Sequence, residues 1–125
     1  MKTEKTQEEN TVANNKILIH ISDRDKWLSV IGLVNRLLDE NNENHIEIII
    51  IADIFAGAVC LHCNQSLKQQ MIDFVETGQR ILICEESLKC LNIPMKSLPD
   101  FVQTIPLSLT AIIQWQDEGF HYIKI

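Results

Sequence analysis

The sequence predicts an α/β domain in which helices alternate with the five strands of a mainly parallel sheet. Three observations carry this reading. From Lys16 onward, short runs rich in β-branched residues alternate with longer stretches whose apolar residues recur at intervals of three and four. The first two runs, Ile17-Leu18-Ile19-His20-Ile21 and Ile46 to Ala52, are apolar on both faces apart from His20 and Glu47, as strands covered by helices on both sides should be. The chain has 125 residues, enough for one compact domain and too few for a second.

The elements follow in order. Residues 1–15 are polar, repeat Glu, Lys, Thr and Asn, and show no hydrophobic period, which predicts a disordered leader ahead of a single domain over 16–125. After the first strand, Trp27, Val30, Ile31, Val34, Leu37 and Leu38 form one helical stripe, with Ser22, Asp23 and Asp25 available as N-caps. The second strand, Ile46 to Ala52, gives way to an irregular stretch from Asp53 to Asn64. Ser66 and Gln69 then have capping-box spacing for a helix carrying Leu67, Met71, Phe74 and Val75, and Gly78 ends it. Arg80 to Cys84 is a third strand. A short helix from Ser87 to Leu91 follows, then a connection punctuated by Pro94 and Pro99. Phe101 to Ile105 reads as the fourth strand, stopped by Pro106; Leu109, Ile112, Ile113 and Gln116 mark a last helix closed by Gly119; Phe120 to Ile125 alternates as the fifth strand.

Composition narrows the function classes. The chain is 46% hydrophobic and 22% charged, enough to build a core without metals or disulfides, so bulk disorder is excluded. Lys and Arg total 11 against 17 Asp and Glu, a net charge of −6, and the basic residues do not cluster; a phosphate backbone needs the opposite sign, so nucleic acid is not an expected partner. Ile48 to Ala52 is far too short an apolar stretch to cross a bilayer, so no membrane partner is expected. The N-terminus has no apolar core of a signal peptide, and the expected location is cytoplasmic. In a reducing compartment the four cysteines are thiols, ligands or redox groups rather than structural disulfides.

In an open parallel sheet, ligands bind outside the carboxyl ends of the strands. Those ends carry His20 to Asp23, Asp53 to Cys63, Cys84, and Pro106 to Ser108. Cys84 is the sharpest candidate, because it closes a buried strand just where a helix begins, and a helix N-terminus favours thiolate. Glu85 and Glu86 act in the opposite direction, and a small hydrophobe closing a strand is the competing reading. Cys90 reads as packing or as a resolving thiol for Cys84. Cys60-Leu61-His62-Cys63 has the spacing of a redox pair or half a zinc site, but no second close pair completes four ligands, and incidental placement is the competing reading. His20 is an acid/base or orienting candidate, against a satisfied core histidine. Asn35 lies beside the first helical stripe, either solvent-facing or hydrogen-bonded into the site. His45 and His121 read as surface or strand-edge residues, and Trp27 and Trp115 as core or interface groups. No glycine-rich phosphate loop, GxSxG or HExxH is present.

The segment Ile83-Cys84-Glu85-Glu86-Ser87-Leu88-Lys89-Cys90-Leu91-Asn92-Ile93, the run Trp115-Gln116-Asp117-Glu118-Gly119-Phe120-His121-Tyr122-Ile123-Lys124, and Asn35 with Leu37 and Leu38 together resemble the DsrE/DsrF-like family of small α/β proteins associated with intracellular sulfur handling. The resemblance runs from about Lys16 to Ile125. It implies a three-layer α/β/α sandwich on a five-stranded parallel sheet, assembled as a homo-oligomer, often a trimer or hexamer. It places the family's reactive cysteine on Cys84, which would carry sulfur as a persulfide and hand it to a partner, with no cofactor. Where many relatives have a glycine straight after the second strand, this chain has Asp53-Ile54-Phe55-Ala56 before Gly57.

Three functions remain open on these grounds. The first is a sulfur relay in which Cys84 accepts sulfane sulfur from a donor and passes it to an acceptor protein, with His20, Asn35 and Ser108 shaping the pocket. The second is a non-catalytic homo-oligomeric binding or assembly module. The third is a redox or metal site built from Cys60, His62 and Cys63 with Cys84.

Overall fold

The computed structural model describes residues 16–41 and 45–125, and the expected leader over 1–15 lies outside them. The order is β1 (Lys16–Ile21), α1 (Trp27–Glu40), β2 (Glu47–Ala52), α2 (Val59–His62), α3 (Gln65–Glu76), β3 (Arg80–Cys84), α4 (Glu85–Cys90), β4 (Gln103–Ile105), α5 (Ser108–Asp117) and β5 (His121–Lys124). The five strands form one sheet in the order β4-β3-β2-β1-β5, with every neighbouring pair parallel. The expected fold class is therefore the observed one.

Why these residues form this sheet is visible in β2, its middle strand. Ile48 to Ile51 are four consecutive isoleucines, all fully buried, and such a run is stable only where both faces are covered. One face carries Ile17, Ile19, Ile21, Ile48, Ile50, Ile81 and Ile83 against Trp27, Val30, Ile31 and Val34 of α1, Leu67, Met71 and Phe74 of α3, and Leu88 of α4. The other carries Leu18, Ile49, Ile51 and Leu82 against Ala111 and Ile112 of α5, and Phe120. The period-two alternation of the strands thus divides the core into two halves, and the result is three layers. Among the described residues no helix is long and apolar enough to cross a membrane.

The topology also decides where a site can form. Connections β1 to β2, β2 to β3 and β3 to β4 step in one direction across the sheet, so right-handed crossovers put their helices on one face. The connection from β4 returns over the sheet to pair β5 with β1, so α5 lies on the other face. The chain therefore leaves the carboxyl ends of the adjacent strands β3 and β4 toward opposite faces. This opens a crevice at the switch point, between Cys84 and its register partner Ile105.

Local signals were partly misplaced by sequence. Asp23 precedes a 3-10 turn, Arg24–Lys26, that leads into α1, and neither it nor Lys26 caps with a side chain. The cap of α3 is Asn64, whose side chain accepts the Leu67 N–H at 2.8 Å, rather than the Ser66 and Gln69 pair, because the helix already begins at Gln65. The stretch expected to be irregular holds the single turn α2. Helix α4 begins directly after Cys84, two residues before the expected start, and β4 is limited to Gln103–Ile105.

At the opposite end of the sheet, buried Gln79 substitutes for a missing strand residue. Its Oε1 accepts the Ile48 N–H at 2.6 Å and its Nε2 donates to the Ile46 carbonyl at 3.0 Å. Replacement by leucine leaves both backbone groups buried and unpaired, at about 1 to 3 kcal/mol each in the worst case. Gln79→Leu is expected to lower the unfolding free energy by about 2 to 4 kcal/mol in urea, with the slope of the transition unchanged; a loss under about half a kcal/mol would show that these bonds do not hold the strand ends.

Candidate functional site

The carboxyl edge of the sheet is organised around one buried carboxylate, Asp53, the residue following β2. Its Oδ2 receives His20 Nε2 at 2.7 Å and the Ser108 hydroxyl at 2.8 Å, and its Oδ1 receives the Ser22 hydroxyl at 2.6 Å. These donors come from the end of β1, the turn after it and the first residue of α5. A carboxylate accepts only, so His20 presents its Nε2–H to Asp53. Its Nδ1 is then left to accept the Tyr122 hydroxyl of β5 at 2.8 Å. Burial pushes the Asp53 carboxyl up, but the hydrogen bonds from His20, Ser22 and Ser108 and the attraction of the His20 ring outweigh it and hold the group at about 2. Burial and the Asp53 charge in turn push the Tyr122 hydroxyl up, which keeps it protonated as a donor.

The loop carrying Asp53 is pinned at several points. The Asp53 N–H donates to the Ile21 carbonyl at 3.0 Å, extending the β1–β2 ladder by one bond. The Ala56 N–H bonds the Ser22 carbonyl at 3.1 Å and the Asp53 carbonyl at 3.0 Å, and Trp27 Nε1 donates to the Ala56 carbonyl at 2.8 Å. Trp27 is fully buried, so the helical stripe of α1 anchors this turn as well as the core. Within the turn Ile54 has φ 51°, a left-handed conformation that costs a β-branched residue on the order of 1 to 2 kcal/mol. Its N–H donates to Ser87 Oγ at 2.8 Å, tying the turn to α4. The following Gly57 packs so close to β3 that an added Cβ would meet Ile83 Cγ2 at 2.8 Å.

Cys84 stands in the crevice between these parts, buried at 2% exposure. Burial pushes its thiol up, but the backbone and hydroxyl groups of Ser87 and then of Ser108 donate to the sulfur, and the net direction is down. The two neighbouring glutamates, expected to oppose this, do not set the balance. Glu85 is turned aside to accept the Thr104 hydroxyl at 2.7 Å. Ser87 accepts from Ile54 N–H, which leaves its own proton for the sulfur. Ser108 has one hydroxyl proton and two acceptors, Asp53 Oδ2 and Cys84, so it links the thiol to the Asp53–His20–Tyr122 chain. A cavity of about 510 Å³ opens over Cys84, lined by Ile54, Phe55, Leu107 and Leu109 among others.

The other site candidates divide clearly. Cys90 lines the same cavity and is exposed. His20 and Ser108 belong to the Asp53 network. Asn35 does not reach the cavity, because its Nδ2 donates to the Gln70 carbonyl at 3.3 Å and so joins α1 to α3. Cys60, on α2, is buried in the core, where burial, with the nearby Cys63, pushes its thiol up to about 12. Cys63 is half-buried, His62 is exposed, and neither lines the Cys84 cavity. Among the described residues no three His, Cys, Asp or Glu side chains gather as a metal site. Sequence reading passed over Asp53, Ser22, Ser87 and Tyr122 as participants. The one available signal was an acid at the carboxyl end of a strand opposite a lone histidine.

Because the folded carboxyl of Asp53 titrates below its ordinary 3.8, it stabilises the fold fully above that pH and loses the contribution as pH falls toward about 2. The contribution is on the order of 2 kcal/mol. In urea unfolding between pH 2 and 5, Asp53→Asn is expected to be less stable at pH 5 and to lose part of the acid slope of the native chain; identical slopes would refute the role given to this carboxylate.

Comparison with known proteins bears on this arrangement. Among curated proteins, no match was found. The solved structure of MTH1491 from Methanobacterium thermoautotrophicum, described as a protein of unknown function, superposes with a TM-score of 0.78 at 19% identity, over 90% of this chain and 100% of that one. The ychN protein of E. coli superposes with a TM-score of 0.74 at 15% identity, again over 90% of this chain and 100% of that one. BT1422 from Bacteroides thetaiotaomicron, of unknown function, reaches 0.55 at 11% identity over 86% of this chain and 94% of that one. At such identities the likeness speaks to the fold. The sequence model of the DsrE/DsrF-like family, however, matches residues 31–125, which contain β2 to β5, Asp53, Cys84 and Ser108, and the chain belongs to that family.

Proposed function

We propose that the protein is a sulfur carrier in which Cys84 takes up sulfane sulfur as a persulfide and passes it to a partner protein. The observation that carries this reading is a buried thiol held below its ordinary range by the donors of Ser87 and Ser108, at the floor of a cavity at the sheet's switch point. Membership in the DsrE/DsrF-like family supports it.

The step needs no cofactor. The Cys84 thiolate attacks the outer sulfur of a donor persulfide, R–S–SH; a new S–S bond forms at Cys84, the donor's S–S bond breaks, and the donor leaves as R–S⁻ with the electron pair. The product is Cys84–S–SH, and delivery to an acceptor thiolate runs the same exchange in reverse. Before the attack, the thiol proton leaves to solvent through the open cavity, and the donors of Ser87 and Ser108 hold the charge left on the sulfur. Cys90, which lines the same cavity, is the candidate resolving thiol.

The test is peptide mass spectrometry after treatment with a sulfane-sulfur donor and alkylation, across four single Cys→Ser variants. Loading of one sulfur atom at Cys84, abolished in Cys84→Ser and kept in Cys60→Ser and Cys63→Ser, is the expected result. Loading at Cys60 or Cys63 instead would move the chemistry to the loop after β2, and no adduct at any cysteine would end the carrier reading.

A second reading is favoured by a separate observation. Leu109 and Ile113, one turn apart on α5, are 65% and 59% exposed. We propose that this face assembles copies of the chain. Sedimentation velocity should show an oligomer that Ile113→Asp converts to monomer; a monomeric native chain would discard this reading.

A further inference from the structure

The cavity over Cys84 also constrains the chemistry of what enters it, and this step rests on Cys84 being the reactive thiol. Among the described residues two charged side chains line the cavity, Asp53 and Glu86, both acidic, and neither lysine nor arginine does. A separate depression that contains cations shares Phe55 as a wall. There Arg24 and Lys26 stand with Asp23 and Asp25, so their formal charges cancel. The rim is apolar and open: Ile54, Phe55, Leu107 and Leu109 are 51%, 53%, 41% and 65% exposed. Two of the polar groups that could receive an anion, Ser87 and Ser108, are already engaged. Their donors serve the Cys84 sulfur, and the Ser108 hydroxyl also serves Asp53.

An inorganic sulfur anion such as thiosulfate would give up its hydration here against two like charges and without a cationic partner. An uncharged organic group would instead bury its surface on Ile54, Phe55, Leu107 and Leu109. We infer that the site takes sulfur from an organic persulfide whose group next to the sulfur is neutral and apolar, and that it discriminates against small sulfur anions. The apolar group could belong to a small molecule or to the side chains flanking a partner protein's cysteine; the cavity recognises the same chemistry in both.

The test separates charge selectivity from sulfur transfer. Alkylation of Cys84 in the full chain by neutral iodoacetamide and by anionic iodoacetate is followed by peptide mass spectrometry and referred to the same pair of rates for 2-mercaptoethanol. The expected result is a preference for the neutral reagent about tenfold beyond that of the free thiol, an electrostatic effect of a negatively lined cleft. Glu86→Gln and Leu109→Lys should each reduce that preference several-fold. Loading is then compared among benzyl persulfide, a persulfidated peptide with apolar residues flanking its cysteine, and thiosulfate. Faster loading from either organic donor supports the inference, and the faster of the two identifies the source. No excess preference for iodoacetamide, or thiosulfate loading as fast as the organic donors, overturns it while leaving the carrier reading intact. A neutral-selective Cys84 that loads sulfur from none of the three shows the charge selectivity but ends the carrier reading and, with it, the inferred persulfide donor.

Discussion

A carboxylate buried at the carboxyl edge of the sheet is the constraint on which the candidate site depends. Asp53 can remain ionised at 7% exposure only because three donors converge on it, and those donors come from three separate parts of the chain. His20 binds it from β1, Ser22 from the turn after β1, and Ser108 from the start of α5. Meeting that demand fixes the relative positions of the chain after β1, β2 and β4. Among the described residues, no buried side-chain nitrogen or oxygen lacks a hydrogen-bond partner, so the network is complete rather than partly satisfied.

The same constraint shapes the surroundings of Cys84. Ser108 is drawn to Asp53, which brings its hydroxyl and backbone N–H to the sulfur. Ser87 is oriented from the other side by the N–H of Ile54, a residue held in a strained left-handed conformation by a turn closed through Ala56 and locked by Trp27. Strain at one residue is thus maintained by a fully buried aromatic anchor, and its product is a hydroxyl aimed at a thiol. The single proton of Ser108 makes the sulfur and the Asp53 carboxylate competitors for one donor. Through Ser108 the surroundings of the cysteine join a hydrogen-bonded chain that ends at Tyr122 on the edge strand.

Electrostatics and topology act together at this edge. Opposite exits from β3 and β4 open the crevice, and among the described residues the charged side chains that border it are acidic. A thiol can be held low in such a place because hydrogen-bond donors, not cations, stabilise its charge. A site of this kind favours its own anion without attracting others. The apolar rim continues toward the exposed outer face of α5, so cavity and candidate assembly surface adjoin through Leu109.

What the sequence by itself determined is what depends on near neighbours. The isoleucine runs specified strands covered on both faces, the stripe from Trp27 to Leu38 specified a helix, and their alternation specified a parallel sheet. That order in turn put Cys84, His20 and Ser108 at the carboxyl edge. The helix caps were less legible, since Asn64 and Ser66 offer the same chemistry two residues apart and only packing of α3 selects one. Asn35 was assigned to a pocket because periodicity gives the face of a helix but not the neighbour it meets, which is the Gln70 carbonyl. Only the tertiary structure decided that Asp53 joins the site: its partners lie 33, 31 and 55 residues away, and Tyr122 lies 102 residues from His20. It also decided the sign of the Cys84 shift. Sequence placed two glutamates beside the thiol, whereas a pKa answers to what stands near the sulfur in space, and there the hydrogen-bond donors of two serines, one from each side of the crevice, prevail.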